Sequence, residues 1–217
     1  MRVAVVNETS AVDKHPHIMA ALEGRGLDVI NAGMAEAGEQ PELQYGHTGF
    51  ISALLLNAGR VDMVVGGCGT GQGFLNSVMQ YPGVFCGHLL TSLDAWLFTR
   101  INAGNCVSLA LNQGWGWAGD VNLRLLFDQL FVTERGEGYP AHRRVPQRAS
   151  RQNLWTITRA THRPMAEIVT LLPDEIVVPA ITHPAAAAAL DIATIEDEAL
   201  RSALRTRLPV EAAAASR

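Results

Sequence analysis

Cysteine is scarce in this chain, and its spacing gives no sign of a metal site. Only Cys68, Cys86 and Cys106 occur, and no two of them form the C-x-x-C pair of a metal or redox centre. An odd number of cysteines with no secretory leader ahead of them indicates a reducing compartment, so we expect a cytoplasmic protein. Since no apolar run reaches the ~18 residues that a membrane span needs, we expect no membrane partner.

Positive charge is also sparse, and lysine occurs only at Lys14. The formal net charge is −4, and without a broad basic field we expect no nucleic-acid partner. The arginines are nevertheless concentrated in one stretch, as Arg143, Arg144, Arg148, Arg151, Arg159 and Arg163. Such a run is either a solvated surface segment or a site that captures an anion through paired guanidinium hydrogen bonds.

Short apolar runs alternate with longer segments of helical periodicity over the first two thirds of the chain. The runs predict strands at residues 2–6, 27–30, 61–65, 83–86 and 106–111. The intervening segments predict helices at residues 17–25, 50–58, 74–79, 93–100 and 121–131. This alternation predicts an α/β fold, a three-layer Rossmann-like arrangement around a five-stranded parallel sheet. Ligands in such folds bind beyond the carboxyl ends of the strands, where we place residues 7–10, 66–73 and 88–91.

The composition changes after Phe131. Residues 134–153 are rich in Gly, Pro and Arg and are interpreted as an irregular linker, and short helices are predicted at 164–172, 184–190 and 196–208. We therefore expect an α/β domain at residues 1–150 and a helical C-terminal extension at residues 151–217.

The segment VVGGCGTGQG, residues 64–73, is the most informative part of the sequence. A predicted strand enters a glycine-dense turn and then a helix, so backbone N–H groups can converge on one point next to Cys68 and Thr70. Because a thiol near a helix start ionises readily, Cys68 could be a base or a nucleophile, and spacing alone does not decide between them. A plain turn with a buried cysteine is the alternative. A dinucleotide-binding loop is disfavoured, since the glycines lack the G-x-G-x-x-G spacing after the first strand.

GCGTGQG at residues 67–73 resembles the signature of the ribose-5-phosphate isomerase B family, which includes the galactose-6-phosphate isomerase subunits. Further segments in register are RVAVVNETS at 2–10, QYGHTG at 44–49, RINAGNCVSL at 100–109 and HRRV at 142–145. The resemblance covers about residues 1–150 and implies an aldose–ketose isomerase that acts on a phosphorylated sugar.

The resemblance also implies roles for individual residues. Cys68 would move the proton between C1 and C2, with Thr70 and Glu8 as further catalytic residues. The amides of Gly69, Gly71 and Gly73 would stabilise the enediolate. Substrate contacts would come from Tyr45, His47, Asn102 and Arg144. No metal or organic cofactor is implied. In the family the arginines reach across a subunit interface, so we expect a homodimer or homotetramer.

Three departures from the family pattern bear on the substrate. Glu8 and Thr9 stand where the family has Asp and His, and Pro140 and Asn112 stand where it has arginines. Ile101 occupies the place of the histidine that is thought to open the sugar ring, and an alkyl side chain cannot transfer a proton. We therefore hypothesise either an open-chain substrate, such as a tetrose phosphate, or ring opening by another group on the same edge, His88 or Arg100.

Two other function classes remain open from the sequence. The first is a non-catalytic protein that binds sugar phosphates and has lost the chemistry. The second is a cysteine-nucleophile hydrolase, which would need a histidine partner for Cys68 from His47 or His88.

Overall fold

The computed structural model of the chain describes residues 1–209, and a five-stranded parallel sheet lies at its centre. The strands are β1 (Arg2–Val6), β2 (Asp28–Asn31), β3 (Met63–Cys68), β4 (Cys86–Leu89) and β5 (Cys106–Ala110). Their order is β2-β1-β3-β5-β4, so the direction of winding reverses between β1 and β3. The predicted fold class is confirmed. Crevices at such a reversal, outside the carboxyl ends of the strands, are where α/β sheets bind ligands.

Strand β4 begins at Cys86, three residues later than the sequence predicts. The side chain of Asn105 uses the backbone ahead of it, because Asn105 Oδ1 accepts from Phe85 N at 2.8 Å and Asn105 Nδ2 donates to Gly83 O at 2.8 Å. These bonds satisfy groups that a longer strand would have paired with the sheet.

Helices cover both faces of the sheet. They are α1 (His15–Leu22), α2 (Tyr45–Asn57), α3 (Gln72–Val78), α4 (Ser92–Leu97), α5 (Gly119–Val132), α6 (Arg144–Thr161), α7 (Met165–Leu171), α8 (Asp174–Thr182), α9 (Pro184–Leu190) and α10 (Glu198–Arg207). Alternate strand residues point to opposite faces. Val3 and Val5 therefore pack with α1, α4 and α5, whereas Ala4 and Val6 pack with α2, α3 and the C-terminal helices.

The region after residue 131 differs most from the prediction. The predicted linker is wrong over residues 144–153, which lie in the 18-residue helix α6, so residue 150 falls inside a helix. Helix α8 was missed because Pro173 and Pro179 suggest loop, whereas Pro173 precedes the helix and Pro179 lies in its last turn. Side chains of α7 to α10 share one apolar cluster with Phe50 of α2, so this part of the extension is built into the core. Residues 210–217 of the predicted extension lie outside the described residues.

Within residues 1–209, no single helix has the length and apolar character of a membrane span. The sharply bent pair formed by residues 174–182 and 184–194 meets that test only when its two halves are counted together.

Candidate active site

The glycine-rich turn after β3 is held by hydrogen bonds on all sides. Cys68 O accepts from Gly71 N at 3.2 Å and from Leu111 N at 3.0 Å. Ser108 Oγ donates to Gly71 O at 2.6 Å, and His88 Nε2 donates to Thr70 O at 3.0 Å. Gly71 has φ +75°, and a Cβ there would lie 2.5 Å from His88 Nε2. The turn therefore needs glycine at residue 71, and His88 supports its backbone.

A cavity of about 340 Å³ lies beside this turn, at the carboxyl edge where the winding reverses. Its lining residues are Glu8, Thr9, Ser10, Gln44, Tyr45, Cys68, Gly69, Thr70 and Gly73. Cys68 is only 6% exposed but contributes to this lining. The other two thiols differ: neither lines the cavity, and burial within the sheet raises the pKa of Cys106. The structure thus brings together six of the ten predicted site residues around the thiol.

Glu8 is buried under the cavity and bound to Ser10. Its side chain is 3% exposed, and one carboxylate oxygen accepts from Ser10 N at 3.1 Å while the other accepts from the Ser10 hydroxyl. Ser10 Oγ in turn accepts from Gly69 N at 3.1 Å. Ser10 was not identified from the sequence. The available signal was the Glu-x-Ser spacing directly after a strand, which allows a side chain to cap the turn that follows.

Two of the three glycine amides predicted to bind substrate donate hydrogen bonds to other groups of the protein. Gly69 N donates to Ser10 Oγ, and Gly71 N donates to Cys68 O, so neither points unpaired toward a ligand. Gly73 lies in the first turn of α3, where backbone amides have no acceptor within the helix. The ring of Tyr45 covers this glycine, because a Cβ at Gly73 would lie 2.8 Å from Tyr45 Cδ1. Of the three predicted amides, that of Gly73 is the one that lies in the first turn of a helix.

His47 does not line the cavity, and its contact with substrate stays a prediction. Its Nδ1 accepts from Gln44 N at 3.0 Å and caps α2, so the proton must be on Nε2, which donates to Glu175 O at 2.9 Å. That carbonyl needs a donor from elsewhere because Pro179, four residues later in α8, has no N–H. His47 therefore joins the extension to the helix that carries Tyr45.

Asn102 and Arg144 lie at the opposite edge of the sheet from Cys68 in the same chain. Asn102 precedes β5, whereas Cys68 pairs with Ala110 at the far end of that strand. The separation is about a strand length, or roughly 13 Å at ~3.3 Å per residue. Asn102 and Arg148 line a second cavity of about 270 Å³ there.

Two arginines near this edge of the sheet, the amino edge at which the strands begin, already bind other groups of the protein. Arg144 pairs with Glu137 at 2.8 Å, and Arg151 donates to Ile101 O at 2.7 Å and to Gly136 O at 2.8 Å. The neighbouring side chain of Glu137 raises the pKa of Glu134, and the side chains of Glu134 and Arg144 lower the pKa of Glu137. Among residues 1–209, no three His, Cys, Asp or Glu side chains are grouped as metal ligands.

The chain matches a known protein family. The Ribose/Galactose Isomerase family model matches residues 3–145, most of the chain. The protein belongs to this family. The resemblance seen in the sequence is therefore confirmed, and the family places the chain among sugar isomerases. Among curated proteins, none matches this chain.

Two solved structures resemble the whole chain, including the C-terminal helices. A ribose-5-phosphate isomerase from Vibrio parahaemolyticus is 36% identical with a TM-score of 0.90, covering 96% of this chain and 99% of its own. A 4-deoxy-L-threo-5-hexosulose-uronate ketol-isomerase, solved with a tartrate, is 32% identical with a TM-score of 0.89, covering 95% and 99%. The shorter Thermotoga maritima ribose 5-phosphate isomerase covers 71% of this chain at 17% identity and a TM-score of 0.58, a likeness of fold. The two full-length relatives are both isomerases but act on different sugars.

Proposed function

We propose that this protein is a ketol isomerase, which interconverts an open-chain aldose and ketose that carry a terminal anion, with Cys68 as the base. The observation that carries the proposal is the cavity at the carboxyl edge, where the thiol is grouped with Glu8, Thr70 and the first-turn amide of Gly73. The family match supports the reaction class.

The mechanism needs a base beside the carbon and a donor beside the oxygen. The thiolate of Cys68 removes the proton from C2, and negative charge develops on O1 as the enediolate forms. The amide of Gly73 is placed to stabilise that charge, and the Thr70 hydroxyl to hydrogen-bond the adjacent oxygen. Return of the proton from Cys68 to C1, together with transfer of the O2 hydrogen to O1, then gives the ketose.

The alternative of a cysteine-nucleophile hydrolase is less well supported. Such an enzyme needs an imidazole next to the thiol. None of the nine residues that line the cavity is a histidine. His47 caps α2 and binds Glu175 O, while His88 binds Thr70 O, so both candidate partners have other roles.

The complete site is proposed to need a second copy of the chain. Asn102 and Arg144 are the remaining predicted groups for the far end of the substrate, yet they lie at the opposite edge from Cys68, where Arg148 lines the second cavity with Asn102. Helix α6, next to them, presents apolar side chains to solvent: Val145 is 80% exposed, and Leu154, Trp155 and Ile157 are also exposed. Burying this surface against a partner is favourable and would bring the second chain's arginines toward the cavity.

The nature of the terminal anion is the finer question. A phosphorylated sugar is the sequence-based prediction, and the Vibrio parahaemolyticus relative acts on ribose 5-phosphate. A uronate is the second candidate, because the other full-length relative acts on a hexosulose uronate and because Arg144 is already paired with Glu137. A deoxyhexosulose uronate with its ketone at C5 and no hydroxyl at C4 has no hydroxyl with which its C1 aldehyde could close a furanose or pyranose ring. It therefore fits Ile101 as well as a tetrose phosphate does.

A substrate panel tests the proposal. The purified protein is incubated in D₂O with erythrose 4-phosphate, ribose 5-phosphate and 4-deoxy-L-threo-5-hexosulose uronate, and conversion and deuterium at C2 are followed by NMR. We expect conversion of at least one open-chain compound and a loss of about 100- to 10,000-fold in Cys68→Ala. Binding of these sugars without conversion or exchange would instead indicate the non-catalytic alternative, and a covalent thiohemiacetal on Cys68 would indicate the cysteine-nucleophile alternative.

A further inference from the structure

Aldose–ketose isomerisation moves two hydrogens, and the thiol accounts for one. The carbon-bound hydrogen passes from C2 to C1, while the hydroxyl hydrogen must pass from O2 to O1. A second acid–base group is needed for the oxygens. Among the residues that line the cavity, Glu8 is the one carboxylate.

Glu8 is poorly placed to reach a substrate directly. Its side chain is nearly fully buried, and each of its two carboxylate oxygens accepts a hydrogen bond from Ser10. Ser10, by contrast, is exposed and lines the cavity with Cys68. Any proton that Glu8 gives to or takes from the cavity has its shortest route through the Ser10 hydroxyl.

The hydrogen bonds of Ser10 fix the direction of that hydroxyl. A serine hydroxyl has one donor and two acceptor lone pairs. The donor is used by Glu8, and one lone pair accepts from Gly69 N at 3.1 Å. One lone pair remains to accept a proton from a sugar hydroxyl, while the serine's own proton already points at the carboxylate.

We propose that Ser10 is a catalytic proton relay between the hydroxyl groups of the substrate and Glu8. The relay deepens the proposed function and rests on it. After Cys68 removes the C2 proton, O1 carries the negative charge and O2 keeps its hydrogen. Ser10 Oγ takes the O2 proton as its own proton moves to Glu8, and protonated Glu8 returns a proton through Ser10 to O1. Transfer of the carbon proton to C1 then completes the ketose and restores both groups.

A purely structural role explains less of this geometry. Capping the turn at residues 9–14 requires the bond from Ser10 N to Glu8, which any residue with a backbone N–H at this position could provide. The hydroxyl bond to the other carboxylate oxygen and the bond from Gly69 N belong to the serine side chain. They connect the carboxylate to the glycine-rich turn, which a cap does not require.

The decisive variants are Ser10→Ala and Ser10→Thr, assayed with the fastest substrate of the panel. Ser10→Ala removes the relay but leaves Cys68, so we expect aldose–ketose conversion to fall about 100-fold while deuterium exchange at C2 falls far less. The enediolate would form and revert without finishing. Ser10→Thr keeps a hydroxyl and should restore most of the conversion. Ser202→Ala, an exposed serine of α10, is the matched control and should match the wild type in both rates.

A double-mutant cycle shows whether Ser10 and Glu8 act as one unit. Glu8→Gln should reduce conversion about as much as Ser10→Ala, and the double variant should lose little more than either, because residues in one relay are not additive. Circular dichroism and melting temperature establish that each variant is folded. Equal loss of exchange and conversion in Ser10→Ala, failure of Ser10→Thr to recover, or additive losses would each overturn the relay. Failure of the proposed function is distinct: the wild type would then convert no sugar of the panel.

Discussion

The two edges of the sheet use charge in opposite ways. At the carboxyl edge Glu8, the one carboxylate among the residues that line the cavity, is buried with its bonds directed to Ser10 and, through it, to the glycine-rich turn. At the amino edge Arg144 and Arg151 bind a carboxylate and backbone carbonyls near Asn102. In the proposed mechanism the first edge moves protons, whereas the arginines of the second hold neighbouring parts of the chain. Because the predicted site residues are divided between the two edges, the proposed active site requires two copies of the chain.

The largest expected effect is on activity when two inactive variants are refolded together. This experiment tests whether each active site combines residues from two chains. Cys68→Ala disables the carboxyl edge, and Asn102→Ala/Arg144→Ala disables the amino edge, so we expect each to be nearly inactive alone. If each site combines both edges from different chains, refolding the two together should recover about a quarter of the wild-type activity, because half the dimers are mixed and carry one intact site. Activity is measured after co-refolding, with separately refolded proteins as the control. No recovery would mean that each chain is self-sufficient.

Arg144→Ala alone should weaken binding rather than chemistry. Removing a guanidinium that holds the substrate anion should raise KM about tenfold or more and leave kcat nearly unchanged. Steady-state kinetics measures both. Arg163→Ala, which removes an exposed arginine paired with Glu167 one turn away on the surface, is the control. A fall in kcat with constant KM would place Arg144 in the chemical step.

Replacing Gly71 separates the cost of a steric clash with His88 from the cost of a positive φ angle. Gly71→Ala must adopt φ +75° and place a Cβ against His88, so we expect a loss of about 1–3 kcal/mol in unfolding free energy and lower activity. Gly114 has φ +69° with open space around it, and Gly114→Ala should cost only about 1 kcal/mol. Urea denaturation measures both. Equal losses would show that the clash with His88 contributes nothing.

Replacing His47, which joins α2 to the C-terminal extension, should reduce the free energy of unfolding by a moderate amount. His47→Asn can keep the bond to Gln44 N, because its amide oxygen takes the place of Nδ1, but it is too short to reach Glu175 O, whereas His47→Ala loses both. We expect a loss of about 1 kcal/mol for the first variant and about twice that for the second, by thermal or urea unfolding. If the first variant were as stable as the wild type, the hydrogen bond from His47 to Glu175 O would contribute nothing to stability.

Acidification should give the smallest effect, through two histidines that both interact with Glu39. Burial lowers the pKa of His15 and of His183 below 6.5, so the unfolded chain binds more protons than the native state between the lowered values and 6.5. Stability should therefore decline as pH falls below about 6.5. Urea midpoints at pH 7.5, 6.5 and 5.5 measure the decline, and His183→Gln should flatten it. A midpoint that rises on acidification would contradict the direction.

The accuracy of the sequence-based prediction depends on how local each feature is. The strands, the helices up to α5 and the glycine turn around Cys68 were predicted, because apolar periodicity and glycine are read from adjacent residues. The predicted linker was wrong over residues 144–153, where helix α6 forms despite Pro146, a residue that fits the first turn of a helix. Helix α8 was missed because proline marks both a helix start and a break, and the sequence does not distinguish them.

By itself, the sequence determined a parallel α/β sheet, a cysteine in a glycine-rich turn at the end of its central strand, and membership of a sugar isomerase family. Only the tertiary structure decided which polar groups bind one another and at which edge of the sheet they lie. It joined Glu8 and Ser10 to Gly69, 59 residues beyond Ser10, turned His47 toward a carbonyl 128 residues away, and put Asn102 and Arg144 at the far edge. Hydrogen bonds have short range and strict direction, so their partners follow from the folded backbone rather than from the order of residues.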